Sequence, residues 1–118
     1  MVTVWPRRVA ALALALLAAC SSPPPSADDT AAAKLAPLKA RYPQVIMGFD
    51  VHGTTVNVSV DLDQLVSMDE DKEDAMKAVA LKTWAKTWSE VHPHQHASLT
   101  MRIIDFRGNQ ESAAHIKV

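Results

Sequence analysis

With one cysteine in 118 residues, Cys20, the chain cannot staple itself internally, and any folded part must be held by apolar packing. Only three glycines are present, which argues against a Gly-rich loop cradling phosphate, and no Gly-x-Ser-x-Gly elbow occurs. Charge of neither sign dominates: 12 Lys and Arg stand against 13 Asp and Glu. Without a basic patch there is nothing to neutralise a phosphate backbone, so nucleic acid is excluded as a partner. A membrane-spanning run is also missing. The apolar stretch at residues 9–19 has 11 residues, about 16 Å of helix, where a span needs about 20 residues.

What is present is concentrated at the start. Residues 1–8 carry Arg7 and Arg8 and no acid, and residues 9–19 are Val, Ala and Leu throughout. A positive segment, a short apolar run and small residues before a cleavage point predict a cleaved signal peptide over residues 1–19. The twin-arginine alternative fits less well, because Val9-Ala10-Ala11 departs from the continuation it requires. Leu17-Ala18-Ala19-Cys20 resembles the lipobox of bacterial lipoproteins: an aliphatic residue, two small residues, then cysteine. That resemblance covers the first twenty residues only. It implies that Leu17, Ala18 and Ala19 are read by signal peptidase type II, which cleaves before Cys20. It also implies that Cys20 carries diacylglycerol, with palmitate-type acyl chains holding the protein on its membrane. Two or more chains give stable attachment where one is marginal. Ser21 after the cysteine implies the outer membrane, facing the periplasm, in a Gram-negative cell, and otherwise the outer face of the cell membrane.

Residues 20–33 read as a tether, since Ser21-Ser22-Pro23-Pro24-Pro25-Ser26 has nothing to pack and favours extended polyproline II. Loss of Arg7 and Arg8 with the signal leaves ten basic against thirteen acidic residues, a net charge of −3. The remainder, residues 34–118, is enough for one small domain.

Within it, residues 30–41 lean helical, with Leu35 and Leu38 on one side; Pro37 predicts that the ordered helix starts near it, and Pro43 ends it. Residues 44–51 and 54–62 read as a hairpin. In the first strand Val45, Met47, Phe49 and Val51 share a face; in the second, Val56, Val58, Val60 and Leu62 do, and His52-Gly53 makes the turn. Ser67-Met68-Asp69-Glu70 has the form of a capping box, and the acids through Asp74 suit a helix start. Met76, Ala80, Trp84, Trp88 and Val91 then form one helical stripe, ending before Pro93. Residues 98–106 are a third strand with Leu99, Met101 and Ile103 inward, and residues 110–118 suggest a return strand after the Arg107-Gly108-Asn109 turn. The prediction is α+β in the order α-β-β-α-β, a two-layer sandwich. An antiparallel sheet of three strands, or four with the last segment, lies under the Trp84/Trp88 helix. The first strand is expected in the middle, with the third antiparallel to it.

Chemistry is sparse. His92-Pro93-His94-Gln95-His96 is the one segment resembling a ligand set. In an extended strand, residues two apart project together, so His92, His94 and His96 could hold Zn or Cu. The competing reading is a solvated loop. Asp50 and His52 could form an acid–base pair, or merely a polar face beside a turn. Asp61, Asp63 and the acids from Asp69 to Asp74 make no Asp-x-Asp-x-Asp-Gly loop. Trp84 and Trp88 fit the core better than a surface grip. No general base has an oriented partner, so the chain is not read as an enzyme. The expectation is a lipid-anchored envelope protein that works by contacting another envelope protein, with an exposed strand edge as one docking surface. The alternative is an envelope metal-binding lipoprotein using the histidine segment.

Overall fold

The computed structural model describes residues 24–118. The expected signal peptide with Leu17, Ala18 and Ala19, the expected lipid acceptor Cys20 and the start of the tether lie outside the described residues. Seven elements follow in order: α1 (Ala27–Arg41), β1 (Ile46–His52), β2 (Thr55–Val60), α2 (Leu62–Ser67), α3 (Glu70–Val91), β3 (Ser98–Ile104) and β4 (Gln110–Lys117). No helix among the described residues is long and apolar enough to cross a membrane.

Helix α1 begins ten residues before Pro37, within the stretch read as tether. Ser26 caps it, its Oγ accepting from the Asp29 amide at 3.1 Å, and Asp28 and Asp29 sit in the positive first turn. Ala31, Leu35 and Leu38 are buried at helical spacing, so residues 27–33 belong to the folded unit. Pro37 is tolerated inside the helix because it and Ala33, whose carbonyl loses its donor, both lie on the exposed side.

The strands form one mixed sheet in the order β1-β2-β3-β4. β1 pairs antiparallel with β2, β2 parallel with β3, and β3 antiparallel with β4. The expected all-antiparallel sheet with the first strand central is therefore corrected: β1 is an edge, and β3 lies beside β2. The cause is the length of α3. Its 22 residues span about 33 Å, long enough to return the chain to the beginning of β2, so the next strand runs the same way. The hairpin is present as predicted. Gly53, at φ 62°, is the first residue of its two-residue turn, where a type II′ turn requires a positive φ.

Three local differences matter. Met47 is extra in the β1–β2 register, between the pairs Ile46–Val60 and Gly48–Ser59. The bulge buries both Val45 and Ile46 and turns Met47 outward, so Met47 does not share a face with Phe49 and Val51. Leu62 does not continue β2 but opens the short α2, capped by Asp61, whose carboxylate accepts from the Gln64 amide at 3.3 Å. Finally, Ser67 does not cap α3. It ends α2, where its hydroxyl donates to the Asp63 carbonyl at 2.6 Å, and Asp69 takes the N-cap position without a side-chain bond.

One core joins the layers. Val56, Val58 and Val60 of β2 and Leu99, Met101 and Ile103 of β3 meet Leu35 of α1 and Met76, Ala80, Trp84 and Trp88 of α3. Trp84 is wholly buried. Both long helices cover the same face of the sheet, and Lys34 and Glu90 link them at 3.2 Å. Among the described residues, the other face is left uncovered.

Candidate binding surface

The side chains on the uncovered face follow from the pleat and the register. Residues alternating with the buried valines of β2 are Thr55, Asn57 and Ser59, and those alternating with the core of β3 include Thr100 and Arg102. Cross-strand pairing arranges them in rows. One row runs His52, Thr55, Thr100, His115; the next runs Asp50, Asn57, Arg102, Ala113; a third runs Gly48, Ser59, Ile104.

Arg102 is the centre of this face. Its Nε donates to Gln110 Oε1 at 2.8 Å and its Nη1 to Asn57 Oδ1 at 3.3 Å. Two neutral amide oxygens therefore hold the guanidinium in place without neutralising it, and among the described residues no carboxylate pairs with it. Nη2 has no hydrogen-bond partner among the described residues and remains available to an acceptor such as a carboxylate oxygen. In the neighbouring row Thr100 Oγ1 and His115 Nδ1 lie 3.1 Å apart.

Asp50 and His52 are brought together, Oδ2 to Nε2 at 2.7 Å, but both side chains are about two thirds exposed, at 65% and 66%. Solvent screens such a pair to little net energy. Among the described residues the His52 ring is bonded to Asp50 and to no hydroxyl or thiol.

One end of the face is apolar. β1 starts there and β2 and β3 finish there, so Met47, Leu62 and Phe106 meet around a depression of about 310 Å³, rimmed by Asp61 and Asp63. Met47 is 52% and Phe106 75% exposed. The sequence reading extends the third strand to Phe106, yet β3 stops at Ile104 and Phe106 stands in the turn. Asp105 builds that turn. Its Oδ1 accepts from the Arg107 and Asn109 amides, each at 2.9 Å, and its Oδ2 from Asn109 Nδ2 at 3.4 Å. The Asn109 backbone bond, reinforced by those from Arg107 and the Asn109 side chain and by the Arg107 charge, holds the Asp105 carboxyl below its ordinary value, against the opposing effect of burial. Gly108, at φ 85°, closes the turn. An acid directly before Phe106-Arg107-Gly108-Asn109 is the sequence signal for such a built turn, and strand periodicity alone passes over it.

The histidine segment is placed differently from a ligand set. His92 caps α3 and lays its ring on Trp88, centroids 4.6 Å apart. His94 takes a left-handed backbone conformation at φ 64°, breaking the alternation that would have aligned the three. His96 Nδ1 lies 3.3 Å from the Val118 carbonyl. Among the described residues no three His, Cys, Asp or Glu side chains are grouped to hold a metal ion, His92, His94 and His96 included. Trp84 and Trp88 are both core residues rather than a surface pair.

No family model matches the chain, and no curated protein or solved structure does either.

Proposed function

We propose that this is a lipid-anchored envelope protein, held on its membrane through Cys20, whose folded part is a non-catalytic module that binds another envelope protein. The observation that carries the reading is the uncovered sheet face. A guanidinium positioned by two amides, with no ion-pair partner among the described residues, shares a face whose end carries an apolar rim of Met47 and Phe106. Arginine and aromatic anchors are the residues that dominate protein interfaces. Exposed apolar groups gathered at one place, with a polar surround, mark a docking site more than scattered ones do. The partner segment that fits carries a carboxylate for Arg102 and an apolar side chain for the depression at Met47, Leu62 and Phe106. Under this reading the anchor places the protein at the outer membrane, facing the periplasm, in a Gram-negative cell.

Two measurements test it. Mass spectrometry of the native protein should find a chain starting at Cys20 with a diacylglyceryl thioether. A chain retaining Met1, or a free thiol at Cys20, overturns the anchor. A photo-crosslinking residue at position 63, on the exposed rim of the depression, should capture one consistent envelope protein in the full chain. The same residue at Lys82, on the exposed side of α3, should capture none. Equal capture at both positions overturns the binding surface.

A further inference from the structure

We infer that β4 is a self-complementary edge through which two copies of this chain join their sheets. The argument starts from which edge is open. β1 is defended: a bulge at Met47 distorts its start, and the Gly53 amide at its end is taken by Asp28 Oδ1 at 3.2 Å. β4 has a partner on one side only among the described residues, and it contains no proline.

The ladder shows which backbone groups of β4 are free. Ala97 and Val118 exchange both backbone bonds, at 3.3 and 3.0 Å, so they form a hydrogen-bonded pair. Antiparallel pairs alternate in type, and the register continues Ser98–Lys117, Leu99–Ile116, Thr100–His115. Ile116, Ala114 and Ser112 therefore turn their amides and carbonyls toward β3. Lys117, His115 and Ala113 turn theirs to the free edge.

A second β4 running antiparallel can meet these groups only in registers that set free residue against free residue. Of these, the register centred on Ala114 sets Ala113 opposite His115 of the copy and Glu111 opposite its Lys117. Moving the centre to Ala113 puts Glu111 opposite His115, and moving it to His115 puts Lys117 opposite Ala113. Only the Ala114 register pairs Glu111 with Lys117, and it does so twice by symmetry. Glu111 and Lys117 are both exposed, and neither has an ion-pair partner among the described residues. Glu111 is the extra residue of a bulge at the start of β4, so the backbone ladder between copies is carried by Ala113 and His115, whose segment pairs regularly with β3, and Glu111 contributes its charge. The two-fold axis stands perpendicular to the sheet, so both helix layers stay on one side. The product is an eight-stranded sheet with both uncovered faces on the other side.

Ala114 is half-buried and would meet its own copy at the axis, at a pair without hydrogen bonds, where Cα atoms approach to about 4.5 Å. In the full membrane-bound chain, Ala114→Cys should give a dimer on mild oxidation, identified as a 114–114 peptide by mass spectrometry. Gln110→Cys should not, since the two copies of position 110 lie about 27 Å apart, eight residues at about 3.4 Å each. With Ala114→Cys retained, Lys117→Glu should lower the dimer yield about tenfold, because two attractions become repulsions. Adding Glu111→Lys should restore it, and these exposed sites do not threaten the fold. Equal linking at 114 and 110, a link to a different protein, or no rescue by the double reversal would each overturn the inference.

Discussion

Replacing Trp84 by phenylalanine sets two opposed effects against each other. Trp84 is wholly buried, and its Nε1 is the one buried side-chain nitrogen or oxygen among the described residues with no hydrogen-bond partner. Phenylalanine removes two ring carbons, worth about 1.6 kcal/mol at about 0.8 per buried group. It also leaves a void of roughly 30 Å³, adding about 0.7 kcal/mol. Against this loss of about 2.3 kcal/mol stands the release of a dry, unpartnered donor, about 1–3 kcal/mol. The two nearly cancel, and Trp84→Phe should cost about 0.5 kcal/mol, a few degrees in Tm. Trp88→Phe has no such relief. Its indole nitrogen is not a dry orphan, its ring packs on His92, and it should cost about 2–3 kcal/mol. Urea denaturation of both variants at one pH gives the comparison directly. A ranking by burial alone predicts the reverse order, since Trp88 retains 5% exposure and Trp84 none. If Trp84→Phe proves the more damaging, the N–H is not dry in solution, and the reasoning fails.

Asp105 has its carboxyl held below the ordinary value of 3.8, first by the Asn109 amide. The stability it contributes is complete above that pH and drains away as the pH falls toward the folded value. Asp105→Asn should therefore flatten the acid limb of the unfolding midpoint measured between about pH 2 and 6; an unchanged limb would show that other carboxyls govern it. Ser26→Ala removes the α1 cap and should cost about 1 kcal/mol, with faster amide exchange confined to the first turn of that helix. Phe106→Ala should leave stability within about 0.5 kcal/mol, because the ring is exposed. Phe106→Ala and Arg102→Ala should each still abolish partner capture through the open sheet face, which separates a binding role from a packing one.

Much of the fold was readable because period two and period 3.6 are strong signals where one face is buried. Val56, Val58 and Val60 alternate without interruption, and Met76, Ala80, Trp84 and Trp88 recur every four residues; both patterns appear in the structure as written. What the pattern could not supply was neighbour order. Alternation states which face of a strand is buried, not which strand lies beside it. The parallel β2–β3 pair came instead from the geometric reach of a 22-residue helix. The bulge at Met47 was invisible for a related reason: in Val45-Ile46-Met47 every residue is apolar, so the sequence does not mark which one turns outward. The site was less legible still. Strand alternation marks Arg102 as outward, but its significance needs Asn57 and Gln110, residues 45 and 8 positions away. For the histidine segment the alternation argument assumes extended backbone, whereas His94 is left-handed.

The placement of the two ends of the sheet bears on what the apolar rim is for. Asp28 ties the first turn of α1 to the Gly53 turn, so the chain from residue 24 enters at the hairpin-turn end. Met47, Leu62 and Phe106 lie at the opposite end, a strand of six residues away, about 20 Å. A rim built to dip into the bilayer would belong near the point where a lipidated Cys20 delivers the chain. This one is at the far end, and Asp61 and Asp63 border it with charge that a bilayer interior would reject. The acids suit an aqueous interface whose apolar centre is Phe106, with Arg102 farther along the same face to take a partner's carboxylate. The proposed binding surface thus lies a sheet length from the turn where the described chain enters, which suits a partner approaching from the aqueous side if the proposed anchor holds.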